Sequence, residues 1–540
     1  MDWNYASIYE SVADAVPDRT ALIQGTRLRT WGELDERAAR LAAGLRAAGL
    51  RPDSKVASYL YNSNEYIEGL LGAWKLRAVP VNVNYRYLEE ELVYLLDNSD
   101  AEALLFHGSL SEFVAKVAGR APKLKLLVQV DDGTPLIEGA VEYESLLAAH
   151  DPMERIPRSG DDYYFLYTGG TTGMPKGVMW RNEDLVGVLL GSVYPLYGEA
   201  MLERSEDAGE KAKRIVDSGR NTVHLPASPL MHGTGAFTSL QALAVGGTVV
   251  TLESRAFDPH ELWRVVEQRR VTQMAIVGDA FAKPMLRALD EADADGRPYD
   301  ISSLALIVSS GVMWSAEVKE KLVARGNMFL LDSLGSSEAV GMANSMSGPG
   351  SATATAHFTI GEDAKVFADD GTEVVPGSGD IGVLAVGGHI PAGYYKDEAK
   401  SASTFRTFAG RRWSVPGDFA TVDADGTITL LGRGSVCINS GGEKVFPEEV
   451  EEAVKRHPSV ADALVVGVPD ERFGEAVTAV IGLRPGEEAD ADDIAGALGA
   501  LAPYKRPRKV VFVDTIKRGP NGKADYVWAK DTVARELGTP

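Results

Sequence analysis

A single cysteine, Cys437, among 540 residues excludes an intramolecular disulfide and any thiolate zinc site, and it suits a reducing compartment. Basic residues are scarce relative to acids. There are 55 Lys and Arg against 77 Asp and Glu, a formal net charge of -22. Such a surface repels nucleic acid and anionic membrane, yet a local cluster of donors can still hold a small anion. Long apolar runs are missing. The longest stretch free of Lys, Arg, Asp and Glu lies between Arg220 and Glu253, and Pro226, Pro229, His232, Gly233, Gly235, Gly246 and Gly247 interrupt it. It reads as buried α/β core, not as a membrane span. The segment MDWNYASIYESVADA carries acids where a signal peptide needs basic residues and then an apolar run, so no targeting segment is read and a cytoplasmic location is expected.

What is present is ordinary globular material: 45% hydrophobic and 24% charged residues, enough for two or three domains. Helical and strand patterns alternate from the start. Thr30 precedes apolar positions Leu34, Ala38, Leu41 and Leu45 at helical spacing; Lys55-Val-Ala-Ser-Tyr-Leu reads as a strand, Glu65 to Leu76 as a helix, and Val79-Pro-Val-Asn-Val as a strand. The alternation resumes through Thr248-Val-Val-Thr-Leu, Pro259 to Arg269, Met274-Ala-Ile-Val, Phe281 to Asp293 and Leu304-Ala-Leu-Ile-Val. Strict alternation predicts mainly parallel sheets covered on both faces. Residues 199–221 are dense in charge and are expected to form a solvated insertion, helical or loose. From about 361 to 430, Asp370-Gly371, Pro376-Gly377, Pro416-Gly417 and Asp425-Gly426 separate short strands, which predicts a β-rich part with hairpins. Helix and strand patterns return after Gly432, so a small α+β domain of about 105 residues closes the chain, within the usual domain range.

The strongest chemical signal is Tyr167-Thr-Gly-Gly-Thr-Thr-Gly-Met-Pro-Lys-Gly177, which follows the strand-like Tyr163-Tyr-Phe-Leu-Tyr. Glycines let backbone N–H groups turn inward, and threonine hydroxyls and a lysine add donors, a composition suited to phosphate oxygens. It is not a Walker A loop, because Met174 and Pro175 separate Gly173 from Lys176 and no Ser or Thr follows the lysine.

This segment resembles the phosphate loop of the adenylate-forming superfamily, which includes acyl-CoA synthetases, peptide-synthetase adenylation domains and luciferases. Gly169 stands where that pattern has Ser. Further motifs appear in the family's order over most of the chain. Leu230-Met-His-Gly-Thr-Gly resembles the stretch lining the acyl-carboxylate site, with His232 the candidate. Ser310-Gly-Val-Met resembles the segment beside adenine and the acyl group. Asp332-Ser-Leu-Gly-Ser-Ser-Glu338 resembles the Tyr-Gly-x-Thr-Glu motif, with Leu334 in the aromatic position and Ser337 in that of Thr. Trp413-Ser-Val-Pro-Gly-Asp418 resembles the motif whose Asp holds the ribose. Gly432-Arg433 opens the hinge motif, where Val436 occupies the pivot. Ser440-Gly-Gly-Glu-Lys-Val-Phe-Pro-Glu-Glu-Val-Glu451 resembles the block forming the thiol tunnel, and Pro520-Asn-Gly-Lys523 the C-terminal loop with the adenylation lysine.

The resemblance implies a large N-terminal adenylation domain over 1–432, made of parallel-sheet α/β subdomains plus the β-rich part, and a small mobile α+β domain over 433–540. It implies Lys523, Glu338, His232 and Thr171 as catalytic groups, with Glu338 and Thr171 holding Mg²⁺. ATP and AMP are expected at Thr168, Gly169, Gly170, Thr171, Thr172, Gly173, Lys176, Ser310, Gly311, Asp332, Ser333, Leu334, Gly335, Ser336, Ser337, Asp418, Arg433 and Lys523. CoA is expected at Ser440, Gly441, Gly442 and Lys444, with Lys505 and Arg506 available to its phosphates. The acyl pocket falls among Met231, His232, Ala236, Phe237, Val312, Met313 and Met342.

The implied reaction activates a carboxylic acid with ATP to an acyl-adenylate and transfers the acyl group to CoA, leaving AMP and pyrophosphate. A long-chain fatty acid or a bulky sterol side-chain acid is the expected substrate. The string ending at Trp180 and the Gly432-Arg-Gly-Ser-Val-Cys-Ile-Asn block are similar to the branch of fatty-acyl-CoA synthetases that handles such acids. A catalytically weak nucleotide-binding relative and an adenylation enzyme with a non-CoA acceptor stay open. Asp279 keeps an amino-acid substrate in view, and a homo-oligomer is compatible with the sequence.

Overall fold

The computed structural model describes residues 2–168, 174–312, 314–350, 355–440, 443–470, 474–498, 501–519 and 523–537. Near-continuous apolar runs become strands buried on both faces. All five residues of Lys55–Tyr59 and all four of Val79–Asn82 are buried, the pattern of a parallel sheet sandwiched by helices. These two lie centrally in an eight-stranded sheet with Ala101–His107, Leu126–Val130, Ala140–Glu142 and Tyr163–Thr168, all in parallel register. Lys176–Arg181 then returns antiparallel against Tyr163–Thr168, and the two-residue strand Gly393–Tyr394 closes that edge.

A second, fifteen-stranded sheet has two halves. Thr20–Gln24, Thr248–Thr251, Val223–Pro226, Gln273–Ile276, Leu306–Ser310 and Phe329–Ser336 are parallel neighbours. Ala339–Ser347 turns back on Phe329–Ser336, and from there the strands are antiparallel through His357–Ile360, Thr427–Arg433, Asp418–Val422, Ile381–Val386 and Arg411–Ser414. The expected β-rich part is therefore hairpin-built but continuous with the second parallel sheet.

The C-terminal unit has five strands: Ile438–Ser440, Glu443–Val445, Val460–Asp470, Gly474–Leu483 and Lys509–Val513. Apolar clusters line both faces, one under the helices Pro447–Lys455 and Ala491–Ala497, the other under Tyr526–Leu537. It meets the large domain through the Phe419 and Phe446 rings, 5.4 Å apart, and through Arg484 Nη2 at 3.4 Å from Glu317 Oε2.

The insertion at 199–221 takes the helical form of its expectation and adds a packed face. It contains the helix Ala208–Asp217, whose Ala208, Gly209, Ala212 and Ile215 are buried. Most of its charges face water, with Lys211 and Glu199 paired and largely covered, while small residues let it close on the helix Tyr5–Ala15. Gly209 N–H donates to Ser11 Oγ at 2.9 Å, and a Cβ there would stand 2.3 Å from the Ser11 carbonyl oxygen. The Tyr5–Ala15 helix is held from far along the chain. Asn4 N–H donates to Ser205 Oγ at 3.0 Å, Tyr5 N–H to Asn182 Oδ1 at 3.0 Å, and the Tyr9 hydroxyl to the Leu240 carbonyl at 2.9 Å.

Candidate active site

Several of the expected residues sit where parallel strands end. Thr168 and Ser310 are the last residues of Tyr163–Thr168 and Leu306–Ser310, and Ser333 pairs with Ser310 across the sheet. Ligands of open α/β sheets bind at these carboxyl ends. Thr168 faces Lys176 directly as the last pair of the hairpin, so the phosphate-loop candidate is the connection of two antiparallel strands. Gly169, Gly170, Thr171, Thr172 and Gly173 lie outside the described residues, as do Met313, Gly441 and Gly442. So do the side chains of Arg433 and Lys444.

The exit strand of that hairpin reaches the Glu338 motif. Trp180 is fully buried, and its indole N–H donates to the Ser337 carbonyl at 2.9 Å. The same indole stands edge-on to Phe237 at 6.3 Å. Glu338 is fixed from three sides. Its N–H donates to Ser336 Oγ at 3.2 Å, the buried Ser414 hydroxyl donates to its carbonyl at 2.6 Å, and the Tyr394 hydroxyl donates to Oε1 at 2.8 Å. Tyr394 is placed by strand pairing with Val178. Among the described residues Oε2 accepts no further hydrogen bond, and no three His, Cys, Asp or Glu side chains converge. One oriented carboxylate with a spare oxygen fits Mg²⁺, which takes one or two carboxylates and completes its shell with phosphate oxygens and water.

His232 precedes the helix Gly233–Ala244 as its N-cap residue. Two asparagines that the sequence reading passed over hold its approach. Asn82 is buried at the end of Val79–Asn82; its amide donates to the Met231 carbonyl at 2.6 Å and the Tyr167 carbonyl at 2.9 Å, and its Oδ1 accepts from Tyr167 N–H at 2.5 Å. Asn62 donates to the Pro226 and Ser228 carbonyls, both at 3.1 Å, and accepts from Leu230 N–H at 2.7 Å. The available signal was a polar residue closing the apolar strand Val-Pro-Val-Asn82.

Burial lowers the His232 pKa from 6.5 to about 4, and the nearby positive charges of Lys523 and Arg86 push it further the same way. The imidazole is therefore neutral at pH 7. The folded form takes up its proton near pH 4 and the unfolded chain near 6.5, so the stability tied to the neutral ring is complete above pH 6.5 and is lost as pH falls towards 4. Replacing Lys523 by Ala is expected to raise the His232 pKa while burial keeps it below 6.5, as read by NMR titration of the ring; an unmoved pKa would place the lysine elsewhere.

Asp418 is buried and stands opposite Arg433 in the antiparallel pair. Positive φ at Gly417, +100°, turns the chain into that strand. Ala236, Phe237, Met231 and Met342 share one buried apolar cluster, against which Leu334 packs half-buried. Val312 is half-buried beside Gly311.

Three candidates have their charges engaged. Lys319 Nζ lies 3.0 Å from Asp332 Oδ2, a buried pair in which desolvation still raises the Asp332 pKa. Asp332 thus anchors the helix Ala316–Val323 to its strand; losing one member of such a pair costs about 3–5 kcal/mol. Asp279 accepts from Ser315 N–H at 3.0 Å and Ser315 Oγ at 2.9 Å, with Lys283 at 3.3 Å. Lys505 pairs with Glu449 at 2.7 Å.

Parallel strands thus end at Thr168 and Ser310, two carboxylates, Glu338 and Asp418, are placed, and a small C-terminal unit carries Lys523. The chain belongs to the AMP-binding enzyme family. The family model matches residues 9–395, and the model of the AMP-binding enzyme C-terminal domain matches 449–523. Among relatives, a 3-oxocholest-4-en-26-oate–CoA ligase of Rhodococcus rhodochrous is 46% identical, covering 98% of this chain and 96% of its own. A medium/long-chain-fatty-acid–CoA/3-oxocholest-4-en-26-oate–CoA ligase of Mycolicibacterium smegmatis is also 46% identical, with the same coverage of 98% and 96%. In fold, the chain superposes on the anthranilate CoA ligase AuaEII in complex with anthranoyl-AMP with a TM-score of 0.84 at 22% identity, covering 99% of this chain and 98% of that one. Among the described residues no helix is long and apolar enough to cross a membrane.

Proposed function

We propose that this protein is an ATP-dependent acid–thiol ligase that forms an acyl-adenylate and passes the acyl group to CoA. The observation that carries the reading is the Glu338 carboxylate, oriented by the Tyr394 hydroxyl at 2.8 Å beside the exit strand of the phosphate-loop hairpin. Full-length likeness to CoA ligases supports the overall reaction.

In the first step a carboxylate oxygen attacks the α-phosphorus of ATP. The new O–P bond forms as the bond to the bridging α,β-oxygen breaks, and pyrophosphate leaves. The neutral His232 lines the acyl carboxylate without adding a charge, and Lys523 offsets the negative charge growing on the α-phosphate. Glu338, with Thr171 and the phosphate oxygens, would hold Mg²⁺, which supplies charge neutralisation on the phosphates when bound. Lys176, Thr168 and the loop through Gly173 take the β- and γ-phosphates. Asp418 accepts from the ribose hydroxyls beside Arg433, and the Ser310–Gly311 and Ser333–Ser337 segments flank adenine. In the second step the CoA thiolate attacks the acyl carbon and AMP departs, the thiol entering past Ser440 to Lys444. Residues 1–432 hold the ATP and acyl sites, and the mobile 433–540 brings Lys523 to the first step and the Ser440 to Lys444 loop to the second.

The substrate is a bulky or long apolar acid. The Met231, Phe237, Met342 and Val312 side chains offer an apolar wall, with methionines able to adapt, and the two named relatives act on a sterol side-chain acid and on medium or long fatty acids. The test is AMP release from ATP with Mg²⁺ and CoA across acetate, fatty acids of rising length, a sterol side-chain acid and an amino acid. CoA-dependent release with sterol or long acids, and little with acetate or the amino acid, is expected. ATP binding without AMP release from any acid would favour a nucleotide-binding relative.

A further inference from the structure

Lys176 leaves the phosphate-loop hairpin with its ammonium already taken. Its Nζ lies 2.5 Å from Asp397 Oδ2 and 6.0 Å from the centre of the Tyr394 ring. Asp397 cannot follow if the lysine moves. Its other oxygen, Oδ1, accepts from Lys400 N–H at 2.9 Å as the N-cap of the helix Glu398–Thr404. The segment before it is pinned to the hairpin's exit strand, Ala392 N–H donating to the Met179 carbonyl and Tyr395 N–H to that of Gly177, each at 2.8 Å. The pair is open to water, with Lys176 39% and Asp397 31% exposed, so it is weak enough to exchange for a stronger anion. An acid here opposes a polyphosphate twice, by occupying the lysine and by its own charge.

The geometry points to Asp397 as a latch that competes with the phosphates for Lys176, a positioning residue that sets how tightly pyrophosphate and the ATP tail are held. It rests on the reading that Lys176 takes the β- and γ-phosphates. The latch serves turnover, since pyrophosphate has to leave before the small domain brings in the thiol, and a carboxylate waiting for the ammonium favours that departure.

The test uses the full chain and calorimetric binding of pyrophosphate, ATP and AMP. Asp397→Asn and Asp397→Ser both retain an N-cap side chain, so the helix start and the melting temperature serve as folding controls. Each variant is expected to tighten pyrophosphate and ATP binding about two- to fivefold, the range of a half-exposed ion pair, and to leave AMP unchanged. In a Lys176→Ala background the same substitutions are expected to do nothing to pyrophosphate. Unchanged or weaker pyrophosphate binding in Asp397→Asn, or tightening that persists without Lys176, overturns the latch. If Lys176→Ala alone leaves pyrophosphate affinity unaltered, the assignment of the lysine fails first and the latch fails with it.

Discussion

Lys523→Ala is expected to reduce acyl-adenylate formation by about 10²–10³-fold, the usual effect of removing a preorganised group aimed at developing transition-state charge. Thioester formation from a supplied acyl-adenylate and CoA is expected to stay within a few-fold of the parent. The reason is geometric. Lys523 reaches the large domain only through a loop of the small domain, closed by Gly519 N–H donating to the Lys523 carbonyl at 2.8 Å and by an antiparallel bridge between Arg518 and Ala524. Arg518 in turn is tied by paired 2.7 Å hydrogen bonds to Asp462, so the loop has a firm base. The lysine is exposed, which makes a folding defect on truncation unexpected. Pyrophosphate exchange and single-turnover thiolysis separate the two half-reactions, and equal loss of both contradicts the division of labour.

Glu338→Gln should be the other severe lesion. The amide keeps the size of the side chain and the contacts of the backbone with Ser336 and Ser414, while removing the anion that would hold Mg²⁺. Adenylation is expected to fall roughly a hundredfold or more at fixed Mg²⁺, with the metal concentration for half-maximal rate displaced upwards. Tyr394→Phe isolates orientation from charge: loss of the 2.8 Å bond to Oε1 is expected to cost about tenfold in metal affinity without abolishing turnover. An unchanged Mg²⁺ profile in Glu338→Gln would assign the metal to other groups.

The parts of this molecule that follow from local pattern were readable without coordinates. Alternating strands and helices announced the parallel sheets, because a strand covered on both faces must be apolar along its length, as Lys55–Tyr59 and Val79–Asn82 are. The motifs around His232, Glu338 and Asp418 were found as short strings. What escaped depends on meetings between distant segments. Nothing near Asp397 says that it faces Lys176 across 221 positions, and nothing near Lys319 says that it neutralises Asp332. Asn82 is silent for the same reason, since its partners lie 85 and 149 residues away. The insertion was legible as charged and helical or loose, but composition does not show how closely Gly209 lets its helix approach Tyr5–Ala15.

The anchoring of the Tyr5–Ala15 helix bears on synthesis. Its partners are spread over Asn182, Ser205 and Leu240, the last 231 positions beyond Tyr9. Emerging at about 5–20 residues per second, the chain leaves this apolar helix without its final seat for roughly ten to fifty seconds. Its buried face, including Tyr5, Ile8, Tyr9 and Val12, is over that interval a surface for chaperones to cover. The latest of these anchors is on the helix led by His232, so the nascent chain secures its earliest helix only once that helix has been made.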